Sequence, residues 1–514
     1  MSADVLLPQA PNHPAEQVTG SVQSRTLLAL LSMVGRELAI KLLALGGWVV
    51  LARLLDLSTF GLFAVSSFAV NLFVVVFEVG LGASFVRDKD VDDRELAALF
   101  TYQLVWVVLL AAVVAAGWPL VSGVLTGLSA GGPVVPALAL SFVIISLRTV
   151  PSILTQRKLA YGPLVISDVL AQAAYWIAAI AAAFAGSGAW SVVAAALAFS
   201  IVGTLALYVR VGWRPSLSLD WRRLHGRARF SLSYQGQQGA SLLKYAMLPA
   251  LGGMAAGTSG IGYVTWAHQI AVVPIQLTQL VSRVSFPAMS RLQDSREALA
   301  GMTEAILKWT CRLTFPACAL LIGLGPQLTE YVYGAKWLPA LPVFYLFAAN
   351  TAVNAPVGVL LPILYALGRG AHAFRILVGM VALTWLFGIV FIAVGWGIQS
   401  AAIGFLVGMI AAFVAVLYDV RDLKDLHPLR SMLMPAVSGL VGAILLQLLA
   451  PSLVHGLPAL VAVGAAAGAV LLGINLWGDY GAVWAVVRSG PGRLLGVARV
   501  NVPGDGEDAR IGKP

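Results

Sequence analysis

Apolar runs of about twenty residues alternate with short polar breaks from one end of this chain to the other. They lie at 26–52, 60–84, 96–116, 134–156, 164–185, 189–209, 229–252, 261–283, 303–325, 338–367, 371–394, 397–417, 432–450 and 457–477, fourteen in all. Each is long enough to cross the ~30 Å hydrocarbon core of a bilayer as a helix. Several contain Gly or Pro, which membrane helices tolerate better than soluble ones. The pattern predicts an all-α polytopic membrane protein of about 14 transmembrane helices.

Within the eighth run the pattern changes. "GYVTWAHQIAVVPIQLTQLVSRVSFPAMSRLQDS" (262–295) places Thr265, His268, Gln269, Gln276, Gln279 and Arg283 where lipid would favour leucine. On a helix these residues fall within an arc of roughly 100°, and the opposite side is Val, Ile, Leu and Ala. Such a stripe is expected to face a wet interior, or to hold helices together by hydrogen bonds. In "SLSYQGQQGASLLKY" (231–245), Gln237, Ser241 and Lys244 share a face. In the first run Glu37 and Lys41 are four residues apart and can pair, with Arg36 beside them. Glu78, Arg148, Asp168, Glu304, Lys308 and Arg312 also fall inside apolar runs. A charge at mid-bilayer costs roughly 2.5–3.5 kcal/mol or more. Arg148, Glu304, Lys308 and Arg312 are read as residues near helix ends that reach out to the interface. Arg36, Lys41, Glu78, Asp168 and Lys244 are read as deep.

Composition agrees with the spans. Of 514 residues, 59% are hydrophobic and 11% charged, against about one quarter charged in a soluble domain. The net charge of +10 would suggest nucleic acid in a soluble protein. Here the distribution explains it instead. With the N-terminus in the cytoplasm, roughly 25 of the 33 Lys and Arg fall on inside turns and tails, and the outside turns hold only Arg53 and Lys336. That is the positive-inside asymmetry of a membrane protein, and no nucleic-acid partner is expected. Both termini are expected inside, and the outer loops are short. The first 24 residues are polar and are followed by no short apolar core with a cleavage site, so no cleaved signal peptide is expected. Cys311 and Cys318, seven residues apart on one helical run, lie roughly 10 Å apart along it and read as packing residues.

A fixed shift of 201 residues matches Leu31 to Leu232, Ser32 to Ser233, Gly35 to Gly236, Gly61 to Gly262, Ser84 to Ser285 and Phe85 to Phe286. It also brings Arg36–Glu37 onto Gln237–Gln238 and Glu78 onto Gln279. Six spans separate the copies, so both enter the membrane from the same side, as in a parallel repeat about an axis along the membrane normal. The expected organisation is a disordered cytoplasmic tail at 1–23, an N-terminal lobe of six helices at 24–210 and a basic linker at 211–228. A second six-helix lobe at 229–417, two further spans within 418–477 and a cytoplasmic tail at 478–514 complete it. The two pseudo-symmetric lobes are expected around a central cavity. Its basic residues outnumber its acidic ones, which suits an anionic ligand. The linker, with Trp213 and Trp221, reads as a topogenic loop that could also touch anionic headgroups.

No motif supplies chemistry. G-x-x-x-x-G-K-[ST], H-E-x-x-H and G-x-S-x-G are all missing, and the six histidines are scattered. "DKD" (88–90) sits in a short charged turn and reads as a solvated loop. The expectation is a transporter with no catalytic residue, metal or cofactor. A membrane polymerase or glycosyltransferase would want a charged outer loop, and a drug exporter an acidic aromatic cavity.

The stretches "STFGLFAVSSFAVNLFVVVFEVGLGASFVRDKDV" (58–91), "VPSILTQRKLAYGPL" (150–164), "GSGAWSVV" (186–193), 262–295 and "YALGR" (365–369) resemble one family. It is the polysaccharide transporter family, Wzx-type oligosaccharide or lipopolysaccharide flippases, of the multidrug/oligosaccharidyl-lipid/polysaccharide flippase superfamily. The resemblance runs over roughly 24–430. It implies two six-helix lobes around a cavity, alternating access without ATP, and a bacterial cytoplasmic membrane location. The implied substrate is an oligosaccharide on polyprenyl pyrophosphate, and a polysaccharide polymerase is a possible partner besides membrane lipids. Relatives often carry charged residues just after the "LLKY" region, where this chain reads "AMLPALGGMAAG" (246–257). On this reading Arg36, Lys41 and Lys244 meet the pyrophosphate, while Gln237, Gln269, Gln276, Gln279 and His268 meet sugar. Glu37, Glu78 and Asp168 either bind a coupling cation or balance basic neighbours. A drug or other lipid-precursor exporter on the same scaffold is the alternative.

Overall fold

The computed structural model describes residues 15–77, 85, 91–124, 134–158, 160–220, 228–276, 295–423 and 426–477. These fold into helices, and no strand occurs among the described residues. In chain order the helices are α1 (Ala15–Leu54), α2 (Leu57–Phe77), α3 (Asp93–Val124), α4 (Val134–Ser146), α5 (Thr149–Arg157), α6 (Tyr161–Phe184) and α7 (Trp190–Val211). They continue with α8 (Ala228–Ala271), α9 (Arg296–Gly323), α10 (Leu341–Ala366), α11 (Gly370–Ala393), α12 (Gln399–Val420), α13 (Pro428–Leu453) and α14 (Leu457–Leu476). Short helical turns over Gly325–Leu328, Thr329–Tyr333 and Ala335–Ala340 link α9 to α10. Ten described segments are long and apolar enough to cross a membrane. This is a multi-pass membrane protein, and large apolar side chains such as Leu42, Val113, Ile177, Phe184, Val209 and Leu440 stand exposed on its flanks as lipid requires.

Three expectations are corrected. The stretch 15–23, expected in a disordered tail, is already helical: "AEQVTGSVQ" holds no proline, and α1 simply continues through it. The run at 134–156 is two helices, α4 and α5, separated at Leu147 and Arg148. The carbonyls freed by that break are met from α7: Thr204 Oγ1 donates to Ile144 at 3.2 Å and the Tyr208 hydroxyl donates to Leu147 at 2.8 Å. An interrupted membrane helix survives only where its loose backbone groups are satisfied in this way. Third, Arg148 and Arg312 do not reach out to the interface. They are 9% and 6% exposed, because other helices cover them.

The predicted spans 229–252 and 261–283 meet within α8. The helix turns at Ala256 and Gly257, and the left-handed φ of +59° at Gly257 is what a glycine permits at a sharp turn. Residues 277–294, and with them Gln279 and Arg283, lie outside the described residues. So does Glu78, and the side chain of Gln237 is also outside them.

Packing follows the chain. α6 packs on α1 and α7, and α4 on α3 and α7. α8 packs on α10 and α11, α12 on α10 and α11, and α13 and α14 on α9. The α6–α7 and α11–α12 hairpins are copies in detail. Each turns through two left-handed glycines two residues apart, Gly186 and Gly188 in one, Gly395 and Gly397 in the other. In each, a serine one turn on donates to the second glycine's carbonyl, Ser191 to Gly188 at 2.6 Å and Ser400 to Gly397 at 2.7 Å.

The main seam between the first and second halves of the chain is α2 against α8. Here Gly61 and Gly262, matched by the 201-residue shift, face one another. A Cβ on Gly61 would lie 1.8 Å from the Thr258 carbonyl oxygen, and one on Gly262 2.7 Å from that of Leu57. Equivalent residues of two copies touch only near the axis that relates them. The largest buried cluster straddles this seam, joining Leu51, Phe60 and Phe63 to Trp266, Trp337 and Phe344.

Candidate functional site

Polar side chains inside the bundle form three groups. The first surrounds Asp168 on α6. One carboxylate oxygen accepts from Arg36 on α1 at 2.9 Å, and the other accepts from Arg148 at the α4–α5 break. Arg36 also pairs with Glu37 at 3.0 Å. The break is what turns Arg148 inward. Beside it, Ser167 donates to the Gly203 carbonyl at 2.7 Å, and a Cβ on Gly203 would sit 2.9 Å from the Arg148 guanidinium. Two guanidinium groups and two carboxylates leave this cluster neutral, and it ties α1 and α6 to the α4–α5 break. Sequence reasoning named Arg36, Glu37 and Asp168 but read Arg148 as interfacial. The nearest signal was its position just before Pro151 in "RTVPS".

The second group crosses the halves. Lys41 on α1 donates to the Gln276 side-chain oxygen at 3.2 Å. One amide of the predicted stripe therefore meets a deep lysine from the other half of the chain.

The third group lies on α8. Lys244 sits twelve residues before the turn at Ala256, about 18 Å along the helix and so beyond the midplane of a ~30 Å core measured from that turn. Its ammonium stands 5.3 Å from the Phe405 ring centroid and 5.8 Å from that of Tyr245. Among the described residues it forms no ion pair. His268 belongs to the same cage. It is 9% exposed, with Phe347, Tyr245 and Phe405 centroids at 5.1, 5.7 and 5.8 Å. α10 supplies Phe347, α12 supplies Phe405 and α8 itself Tyr245, so this part of the stripe is packed on aromatic residues rather than open to water, while Gln269 remains half-buried. The aromatic partners were not singled out from sequence, since Phe and Tyr in apolar runs carry no periodic signal.

One end of the bundle is closed. Arg53, at the end of α1, donates through Nε to the Val332 carbonyl at 2.6 Å and through a second nitrogen to that of Tyr331. Lys336 reaches back to the carbonyls of Arg53 at 3.1 Å and Leu55 at 2.6 Å, and the Trp337 indole donates to Ala52 at 3.0 Å. Trp337 stacks on Trp266 at 5.2 Å and meets Phe60 edge-on at 4.8 Å. Arg53 and Lys336 are the two basic residues expected on outside turns, and here each clamps the backbone of the other's half. No cluster of three or more metal-ligating side chains occurs among the described residues.

Comparison with known proteins adds a family and a fold. The profile of a family described as polysaccharide biosynthesis protein matches residues 50–342, more than half of the chain. The chain is 26% identical over 318 residues to the lipopolysaccharide biosynthesis protein WzxC of Escherichia coli K12, covering 61% of this chain and 64% of that protein. It is 22% identical over 329 residues to the succinoglycan biosynthesis transport protein ExoT of Rhizobium meliloti, covering 63% and 66%. It is 25% identical over 311 residues to the teichuronic acid biosynthesis protein TuaB of Bacillus subtilis, covering 58% and 62%. The chain thus spans somewhat under two thirds of each relative's length. Among solved structures, the lipid II flippase MurJ in an inward closed conformation superposes with a TM-score of 0.67 at 13% identity, over 89% of this chain and 99% of that one. An inward-facing multidrug resistance MATE family transporter of the MOP superfamily superposes with a TM-score of 0.57 at 14% identity, over 77% and 98%. At these identities the likeness establishes the fold.

Proposed function

This chain belongs to the polysaccharide biosynthesis protein family, and from that premise we propose that it is a flippase for a lipid-linked oligosaccharide. It carries a polyprenyl-pyrophosphate-linked glycan from the inner to the outer leaflet of the bacterial cytoplasmic membrane by alternating access. The names of its relatives, which place all three in the biosynthesis of lipopolysaccharide, succinoglycan or teichuronic acid and one of them in transport, support that cargo. Its fold, shared with a lipid II flippase, supports a lipid-linked one.

The observation that carries the reading is Lys244. Its ammonium is held by aromatic rings near the bilayer midplane with no carboxylate to neutralise it among the described residues. A cation so placed costs about 2.5–3.5 kcal/mol against lipid, and a transiting pyrophosphate would offset that cost by charge-assisted hydrogen bonds. Lys41 and Gln276, already joined across the halves, sit where headgroup and sugar would bridge both halves. Arg36, committed to Asp168 and Glu37 in a neutral cluster, holds α1 in place beside them. The end closed by Arg53 and Lys336 faces outward on this reading, since the basic turns place the other end in the cytoplasm. The cargo enters from the inner leaflet with its tail in lipid, and the clamp opens for release. Both termini lie in the cytoplasm, and a polysaccharide polymerase consumes the product outside.

The test is a reconstituted flipping assay on fluorescent lipid-linked oligosaccharide. Lys244→Ala is expected to slow headgroup translocation at least tenfold, and Lys244→Arg to restore most of it. A normal rate for Lys244→Ala at equal incorporation removes the anion-binding role.

A further inference from the structure

A cavity lies away from these groups, in the crevice between α11 and α12. It encloses about 810 Å³, within the range of small-molecule sites. Its lower walls are apolar and mostly small, with Gly379 on α11 and Ala411 and Ala415 on α12, and Leu383 of α11 at the far end. A Cβ on Gly379 would meet nothing within 4 Å. The crevice opens on the flank of the bundle, where Val414 and Tyr418 are exposed. From His372 to Leu383 it runs eleven residues, about 16 Å at 1.5 Å per residue. That is close to half of the ~30 Å hydrocarbon core, the depth of one leaflet.

The mouth carries the charge. Arg375 lines it and forms no ion pair or hydrogen bond among the described residues. The Arg421 guanidinium carbon stands over the Tyr418 ring at 3.7 Å, and Arg421 forms no ion pair among the described residues. Of the two acidic groups nearby, Asp422 pairs with Arg369. Asp419, which also lines the mouth, shares a hydrogen bond with the His372 ring at 3.2 Å. Arg375 and Arg421 outnumber that one carboxylate, so the balance at the mouth is positive, at the level where a slot one leaflet deep begins.

We propose that this crevice binds an anionic glycerophospholipid, its phosphate held by Arg375 and Arg421 and an acyl chain lying along Gly379, Ala411 and Ala415. The occupant is resident membrane lipid rather than cargo: the site lies between two neighbouring helices of the second half, not at the seam where the halves meet. The lipid braces the α11–α12 hairpin, whose open end is otherwise joined through Arg369 and His372 to Asp419 and Asp422.

The test uses the full chain purified in detergent, with native mass spectrometry to count bound lipid. Phosphatidylglycerol is expected to be retained at least fivefold more than phosphatidylcholine with the same chains. Arg375→Ala is expected to abolish that preference. Gly379→Leu fills open space, so it folds, and is expected to reduce retention of both lipids. Equal retention of the two lipids by the unaltered protein, or unchanged phosphatidylglycerol retention in both variants, overturns the proposal. So does equal competition by polyprenyl phosphate, which would assign the crevice to the carrier. Because the readout is binding of a bulk phospholipid, failure here leaves the flippase reading intact, and failure of the flipping assay leaves this one intact.

Discussion

Asp168 shows how a single residue can be legible in sequence while its role is not. Its depth within an apolar run marked it at once, but its partners lie 132 and 20 residues away along the chain. Arg36 reaches it from α1, and Arg148 from the break between α4 and α5. With both oxygens committed to guanidinium groups, Asp168 ties three elements together. Asp168→Asn is expected to leave two facing cations and to cost roughly 3 kcal/mol, as for one lost partner of a buried ion pair. The measurement is a drop of several degrees in the melting temperature in detergent. Asp56 does smaller work at the start of α2, where its carboxylate accepts from the Thr59 amide at 3.2 Å and from the Ser58 hydroxyl. Partial burial raises its pKa, but those hydrogen bonds outweigh it and hold it at about 2. A carboxyl depressed on folding stabilises above its ordinary value of 3.8, and that contribution fades as pH falls toward 2. Asp56→Ala is expected to cost about 1 kcal/mol, as for other lost helix caps, seen as a melting shift at neutral pH that shrinks in acid.

At the scale of elements, the apolar runs located nearly every helix, because twenty apolar residues in lipid have few other options. What they could not show was where a run breaks inside the membrane. The α4–α5 break depends on hydroxyls from α7 that no local pattern announces. The repeat was legible, and the structure gives it a consequence: Gly61 and Gly262, matched by position, became a contact of α2 with α8. Gly61→Ala places a methyl 1.8 Å from a backbone oxygen, so the two helices must separate. The expected outcome is weakened closure at that end, read as faster thiol labelling of a Tyr263→Cys reporter than in the same reporter with Gly61 intact. Unchanged labelling would mean that the seam relaxes without opening.

For the whole molecule, the basic surplus on alternate turns predicts an orientation, and on the proposed flippase reading the membrane potential gives the transport step a direction. An anionic cargo leaving an inside-negative cell gains about 2.3 kcal/mol per charge per 100 mV. Collapsing the potential across reconstituted vesicles is therefore expected to slow outward flipping severalfold, whereas an electroneutral exchange would not respond. The aromatic cage around Lys244 and the clamp at one end of the bundle were invisible in sequence, because each joins residues scattered over more than a hundred positions. The clamp has one more property. Arg53 and Lys336 grip main-chain oxygens, groups that every amino acid carries and that no acid or base within the physiological range can titrate. Relatives using the same device would keep a basic residue at each of these two places while the gripped stretches drift freely, so correlated substitution would never reveal the pairing.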